Sequence, residues 1–321
     1  MIQRKCKECG SIFLTSNPNT KYCRICLPGQ ADMEFPLKKI ELPDYKICLI
    51  VTTMNQWKYT QGTLDSLKRS TLFPHDTVVI DGASIDGTQE KIRSYYPYIH
   101  LIELDRPYWI SYAWNRALEY ALSKHYDIIG ILNNDLILTD NWLTQTLEAF
   151  DDPDVGYASP YFSGYHMEYG KNRYGYVDEN ITRAGNQIVP VSWMCGACFL
   201  LRRQAVEEIG MFDEGFLFGN DEVDYCTRLW LNGWKVVAHH GIEVVHLVSK
   251  TIRVHKGNTG DRAEELFNEY GVVWKDHRQY FYEKWDPLVL DAIYETIKPI
   301  QEAMDVKPGV RRRIWNPLAQ L

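Results

Sequence analysis

No apolar stretch in this chain approaches the roughly 18 residues that a helix needs to cross a bilayer. The opening Met1-Ile2-Gln3-Arg4-Lys5 leads into cysteines, not into the apolar segment of a secretion signal. Excess positive charge is also missing: 35 basic against 42 acidic residues leave a formal charge of -7 and a pI near 5.7. That balance excludes a surface that coats nucleic acid as a whole, while leaving room for a local basic patch. Internal repeats and low-complexity tracts are absent too, so nothing points to a solenoid or a disordered chain. What is present is a globular composition of 321 residues, 45% hydrophobic and 24% charged, sufficient for one main domain with appendages. The expected location is cytoplasmic.

The eight cysteines divide into two sets. Cys6, Cys9, Cys23 and Cys26 form a CxxC pair, a thirteen-residue gap and a second CxxC pair. That is the spacing of a four-thiolate zinc ribbon. Residues 1–30 hold almost no apolar core, so a structural Zn²⁺ would supply most of their folding free energy. Two disulfides or a redox pair are the competing readings. Cys48, Cys195, Cys198 and Cys226 lie in apolar or helical contexts and read as buried free thiols. Residues 31–43, bounded by prolines, read as a linker.

From Lys46 onward apolar strands alternate with helical spacing. Strands are expected at Lys46–Thr53, Thr77–Ile80, His100–Leu104 and Tyr126–Leu132. Helices are expected at Tyr59–Arg69, Thr88–Tyr95, Ser111–Leu122 and Asn141–Phe150. This order predicts an α/β, Rossmann-like fold with a mostly parallel central sheet and helices on both faces. Open sheets of that kind bind ligands beyond the carboxyl ends of their strands. Polar residues gather at three such ends: Thr53 to Asn55, Asp81 to Thr88, and Asn133-Asn134-Asp135. In the second, two carboxylates among small residues can accept hydrogen bonds from a ribose or base while letting backbone approach closely. The third ends a buried strand on a carboxylate, an oxygen ligand for Mg²⁺ or Mn²⁺ that leaves positions open for a diphosphate. An ordinary Asp-Gly turn and a simple turn cap are the plain alternatives.

Further on, Asn220 to Leu229 reads as a helix start. Asn220 is its expected N-cap, Val223, Cys226 and Trp230 form an apolar stripe, and Asn232-Gly233 ends it. Asp221 and Glu222 fall in the first turn, where the helix dipole favours ionised carboxylates.

Val51-Thr52-Thr53-Met54-Asn55, the Asp81 to Thr88 loop, Asn133-Asn134-Asp135 and the segment from Ile209 through Leu229 together resemble the successive motifs of family 2 glycosyltransferases, of the GT-A fold group. The resemblance covers about residues 44–250, leaving 251–321 as a helical C-terminal extension. It implies an inverting hexosyl- or pentosyltransferase using a UDP- or dTDP-sugar and Mn²⁺ or Mg²⁺. Donor contacts are then expected from Thr53, Asn55, Asp81, Ser84 and Asp86, from Asn115 and Arg116, and from Asn133 and Asn134. The metal falls to Asp135, with His246 as the late histidine that closes its site and His239 or His240 as substitutes. Trp193, Met194, Gly196 and Asp224 would lie on the acceptor side. Glu222 takes the position of the catalytic base, with Asp221 second.

Two departures qualify the match. The chain has Asp221-Glu222 where the family most often has Glu then Asp, and Asn133 stands at the first position of Asp-x-Asp. They keep a second reading open, an inactive transferase-like binding protein that its ribbon recruits to nucleic acid or protein. The acceptor is expected to be a glycan or a modified base in DNA, to which Arg311-Arg312-Arg313 could add phosphate contacts.

Overall fold

The computed structural model describes residues 2–5, 12–15, 45–71, 73–163, 187–216, 219–247 and 277–304. Internal contacts divide the chain into a short unit, Met1–Asp44, and a main unit, Tyr45–Leu321. In the short unit, β1 (Ile2–Lys5) and β2 (Ile12–Thr15) pair antiparallel, with Ile2 opposite Thr15. The four expected zinc ligands, the linker at 31–43 and Arg311-Arg312-Arg313 lie outside the described residues.

The main unit is built on one mixed sheet. Four strands pair parallel in the order β5 (His100–Glu103), β4 (Asp76–Asp81), β3 (Ile47–Thr53), β6 (Ile128–Asn133). Helices α1 (Trp57–Ser70), α2 (Thr88–Tyr95) and α3 (Ile110–Ser123) supply the crossovers that parallel neighbours require. Beyond β6 the direction changes. There β10 (Cys198–Arg202) runs antiparallel to both β6 and β8 (Val155–Ser163). The long β11 (Lys235–His246) then runs parallel to β8 and carries the short β7 (Leu136–Ile137) and β9 (Ile188–Pro190) antiparallel to it. The parallel expectation therefore describes the first half of the sheet, and the second half is mixed.

All seven residues of β3 are buried, which is why it reads as an unbroken apolar run. Its side chains alternate between two cores. Cys48 and Ile50 join Ala113, Ala117 and Leu118 of α3 on one face. Ile47, Leu49 and Val51 join Leu64 and Leu67 of α1 and Trp142 of α4 (Trp142–Leu147) on the other. On β6, a Cβ at Gly130 would lie 2.5 Å from the Leu49 side chain and 2.8 Å from Leu200, so only glycine lets three strands close here. The four later cysteines are buried free thiols, as expected, and burial pushes Cys48 up to about 12.

Some boundaries differ from expectation. The helix predicted at Asn141–Phe150 is α4 followed by a 3-10 turn, Glu148–Asp151. Asn220 precedes α6 (Asp221–Leu231) but does not cap it through its side chain; its backbone is left-handed, at φ 64°. After α5 (Arg203–Ile209) and α6, the described C-terminal residues form α7 (His277–Lys284) and α8 (Pro287–Ala303). Both belong to the main unit. No helix among the described residues is long and apolar enough to cross a membrane.

Candidate active site at the carboxyl edge of the sheet

Register brings the expected donor residues to one line. Thr53 lies opposite Asp81 across β3 and β4, and Thr52 opposite Asn133 across β3 and β6. Three loops thus leave the sheet side by side, where an α/β sheet presents its ligand site. Hydrogen bonds lock the first two together. Asn55 donates its N–H to Ser84 Oγ at 2.6 Å, and Ile85 returns its N–H to Asn55 Oδ1 at 2.8 Å. Asp81 is fully buried and accepts from the Ser84 N–H and hydroxyl and from Gln89 Nε2. Asp86 accepts from the Trp57 N–H and from both the N–H and hydroxyl of Thr88, tying the starts of α1 and α2. Burial alone would raise its pKa, but those donors hold it below the ordinary carboxylate value.

Several expected donor contacts are therefore occupied within the protein. Asn134 donates at 3.1 Å to both Thr53 Oγ1 and Thr60 Oγ1, and the two hydroxyls lie 2.7 Å apart. Asn115 is buried on α3. Its Nδ2 donates to Phe212 O at 3.0 Å and Glu214 Oε1 at 2.8 Å, while its Oδ1 accepts the Phe212 N–H at 2.9 Å. Arg116 pairs with Glu119 on the same helix and lies over the Tyr112 ring. Thr60 and Gln89 were not anticipated. Each sits on a helix turn facing back to a strand end, a placement that helical spacing shows only once the strand is known.

Asp135 and His246 do come together. The two residues after Asp135 form β7, which pairs with the end of β11 so that His246 stands opposite Leu136. Leu247 N–H also donates to Asp135 O at 2.9 Å. His246 Nε2 lies 3.2 Å from Asp135 Oδ1, with both side chains buried. A carboxylate oxygen and an imidazole nitrogen at this spacing suit a Mn²⁺ or Mg²⁺ ion that takes its remaining ligands from phosphate and water. Among the described residues no cluster of three ligating side chains forms. His239 and His240 lie lower on β11. His239 stands opposite Pro160, accepts the Gly241 N–H and faces Glu148.

The remaining segment enters beside Asn133, whose N–H donates to Ala197 O at 2.8 Å. Met194 is wholly buried and Trp193 half-buried. Gly196 has a packing reason: a Cβ there would fall 2.4 Å from the Trp114 ring. Helix α6 closes on this segment through Cys226, which shares a buried core with Met194. Burial raises the Tyr157 phenol, with Cys226, Cys195 and Glu222 adding to it in turn, and the Tyr157 hydroxyl donates to Cys195 O at 3.4 Å. The Glu222 carboxyl is itself raised well above the ordinary value, first by desolvation and then by the Asp221 charge. This reverses the expectation from the helix dipole, because burial beside a second carboxylate outweighs it. Asp221 is also buried, with Oδ2 lacking a hydrogen-bond partner. Asp224, expected on the acceptor side, is fully buried and accepts from Arg228 Nε at 3.0 Å, from Lys284 at the end of α7 and from Trp285 just beyond it.

The family model described as glycosyl transferase family 2 matches residues 48–210. The N-acetylglucosaminyl-diphospho-decaprenol L-rhamnosyltransferase of Mycobacterium tuberculosis is 24% identical over 232 residues, 62% of this chain and 75% of that enzyme. Among solved structures, GalNAc-T7 with UDP, GalNAc and Mn²⁺ matches at a TM-score of 0.52 and 16% identity, over 82% of this chain and 55% of that chain. The mannosyltransferase PcManGT from Pyrobaculum calidifontis, in complex with GDP-Man and Mn²⁺, matches at 0.51 and 18% identity, over 81% and 76%. These two likenesses show a shared α/β fold of the GT-A type.

Proposed function

The chain belongs to glycosyl transferase family 2, and on that premise we propose that it is a metal-dependent, inverting enzyme moving a sugar from a nucleoside diphosphate to an acceptor hydroxyl. The observation that carries this reading is the Asp135–His246 pair at the carboxyl edge of the sheet, 3.2 Å between Oδ1 and Nε2. Those two side chains would hold Mn²⁺ or Mg²⁺. When bound, the cation supplies charge neutralisation for the leaving diphosphate. Glu222 accepts the proton of the acceptor hydroxyl as that oxygen bonds to the anomeric carbon. The bond from that carbon to the diphosphate breaks on the opposite face, so one displacement inverts the configuration. Desolvation and the neighbouring Asp221 charge raise the Glu222 carboxyl, which makes it a stronger proton acceptor once ionised. Asp221 stabilises the protonated product of that transfer through its adjacent negative charge.

The donor class is a UDP- or dTDP-sugar. The relative from Mycobacterium tuberculosis is named for L-rhamnose transfer to a lipid-linked N-acetylglucosamine, which supports a deoxyhexose donor and a glycan acceptor over a base in DNA. Residues 1–30 are assigned to a structural Zn²⁺ held by Cys6, Cys9, Cys23 and Cys26, on the CxxC spacing alone.

The test is a screen of UDP-, dTDP- and GDP-sugars with Mn²⁺ against glycan, protein and DNA acceptors, with the product's anomeric configuration read by NMR. Glu222→Gln is expected to lower kcat by about 100-fold or more, and Asp221→Asn by less. Undiminished turnover in both variants would remove the base from this pair, and a retained configuration would overturn the single displacement. Metal analysis of the same protein is expected to give one Zn²⁺ per chain, and its absence ends the ribbon assignment.

A further inference from the structure

Helix α6 begins without a side-chain cap, through a left-handed Asn220, yet its first turn carries the proposed base. What fixes that turn comes from outside it. Asp224, fully buried, accepts from Arg228 of its own helix, from Trp285 Nε1 at 2.8 Å, and pairs with Lys284 Nζ at 2.7 Å from Oδ1. The same ammonium donates to Asp213 Oδ2 at 2.6 Å, where the Tyr280 hydroxyl also donates at 3.1 Å. Burial pushes the Asp213 carboxyl up, but Lys284 and the Gly215 N–H outweigh it and hold the group below its ordinary value. Gly215 makes room for this contact, since a Cβ there would lie 2.4 Å from the Tyr280 hydroxyl oxygen. Phe281, wholly buried, packs with Phe216 and Val223.

Among the described residues, Lys284 is therefore the cation that joins Asp213, ahead of α6, to Asp224, two residues beyond Glu222. We infer that Lys284 is a positioning residue for the transfer reaction, with α7 acting as a strut that holds the Asp221-Glu222 turn in register with the sheet edge. This rests on the reading of Glu222 as the base. It extends the functional site past residue 250, where the resemblance ends, to α7. A point charge shared between two carboxylates 11 residues apart fixes distance as well as charge, and a neutral side chain of similar length would fill the space without doing so.

The experiment measures release of nucleoside diphosphate from dTDP-rhamnose, UDP-N-acetylgalactosamine and GDP-mannose with Mn²⁺, in the full chain. Lys284→Met is expected to lower kcat by about tenfold to a hundredfold, as a small misplacement of a reacting group does. The donor KM should stay within about twofold, because the donor-side loops are untouched. Lys284→Arg, which keeps the charge, should recover most of the loss. Trp285→Phe removes a single donor to Asp224 and should lower kcat in the same sense, which keeps the test sharp if Lys284→Met fails to fold. Wild-type protein inactive on all three donors would sink the functional reading and this inference with it. Active wild type with unchanged kcat in Lys284→Met and Trp285→Phe would overturn the inference alone. So would a lowered Tm with kcat unchanged at 20 °C, which makes α7 a packing element only.

Discussion

As the proposed base, Glu222 combines two demands that oppose each other. A base must lose its proton, yet its carboxyl is desolvated and lies beside Asp221, and both effects favour the neutral acid. The consequence reaches stability as well as catalysis. A carboxyl whose folded pKa lies above its unfolded value favours folding fully below the unfolded pKa, near the 4.5 of an ordinary glutamate. That contribution is lost as pH rises through the folded pKa, because the folded state must then carry a buried charge. Glu222→Gln has no such charge to bury. The variant is expected to melt above wild type at pH 8, and the difference should shrink as pH falls to 5. The acid limb of kcat/KM should lie above the ordinary carboxylate range for the same reason. Paired thermal melts across that window decide the matter: a difference that does not change with pH would show that Glu222 is not held protonated.

At the scale of elements, the segment from Phe212 to Phe216 is held from two sides. On one side α3 supplies Asn115 and also Ser111, whose hydroxyl donates to Phe216 O at 2.8 Å. Asn115→Ala would leave the Phe212 N–H and carbonyl without their partners in a buried setting. A loss of about 2 to 3 kcal/mol is expected from urea unfolding, together with a fall in kcat, since the same segment leads to α6. Stability unchanged within error would return Asn115 to a ligand-binding role. This residue also shows where sequence reading stops. β3 and β6 were legible because burial on both faces makes an unbroken apolar run. Asn115, Asn134 and Asp86 were expected to contact the donor, and in the fold their side chains bond to the protein itself, because the same groups serve a ligand or a neighbouring loop equally well. The partner decides, and for Asn115 it lies 97 residues away. The antiparallel half of the sheet was hidden for the same reason, since β10 meets β6 and β8 only through long-range pairing.

At the scale of the whole molecule, the sheet itself assembles the Asp135–His246 pair proposed to hold the metal. Asp135 leaves β6 in the parallel half, whereas His246 ends β11 in the mixed half, and only the β7–β11 pairing makes them neighbours. A ligand that bridges the pair should therefore stabilise both halves of the sheet together. With Mn²⁺ and UDP at about 100 times their dissociation constant, linkage gives about 2.7 kcal/mol and a single, upward-shifted unfolding transition. His246→Ala and Asp135→Asn should each lose most of that shift, and chelation with EDTA should return wild type to its unliganded Tm. His239→Ala is the control, because His239 faces Glu148 and the Gly241 N–H instead of Asp135. Its own Tm can fall without affecting the difference that Mn²⁺ and UDP produce. A shift that survives in His246→Ala but disappears in His239→Ala would move the metal down β11, and with it the place where the diphosphate must sit.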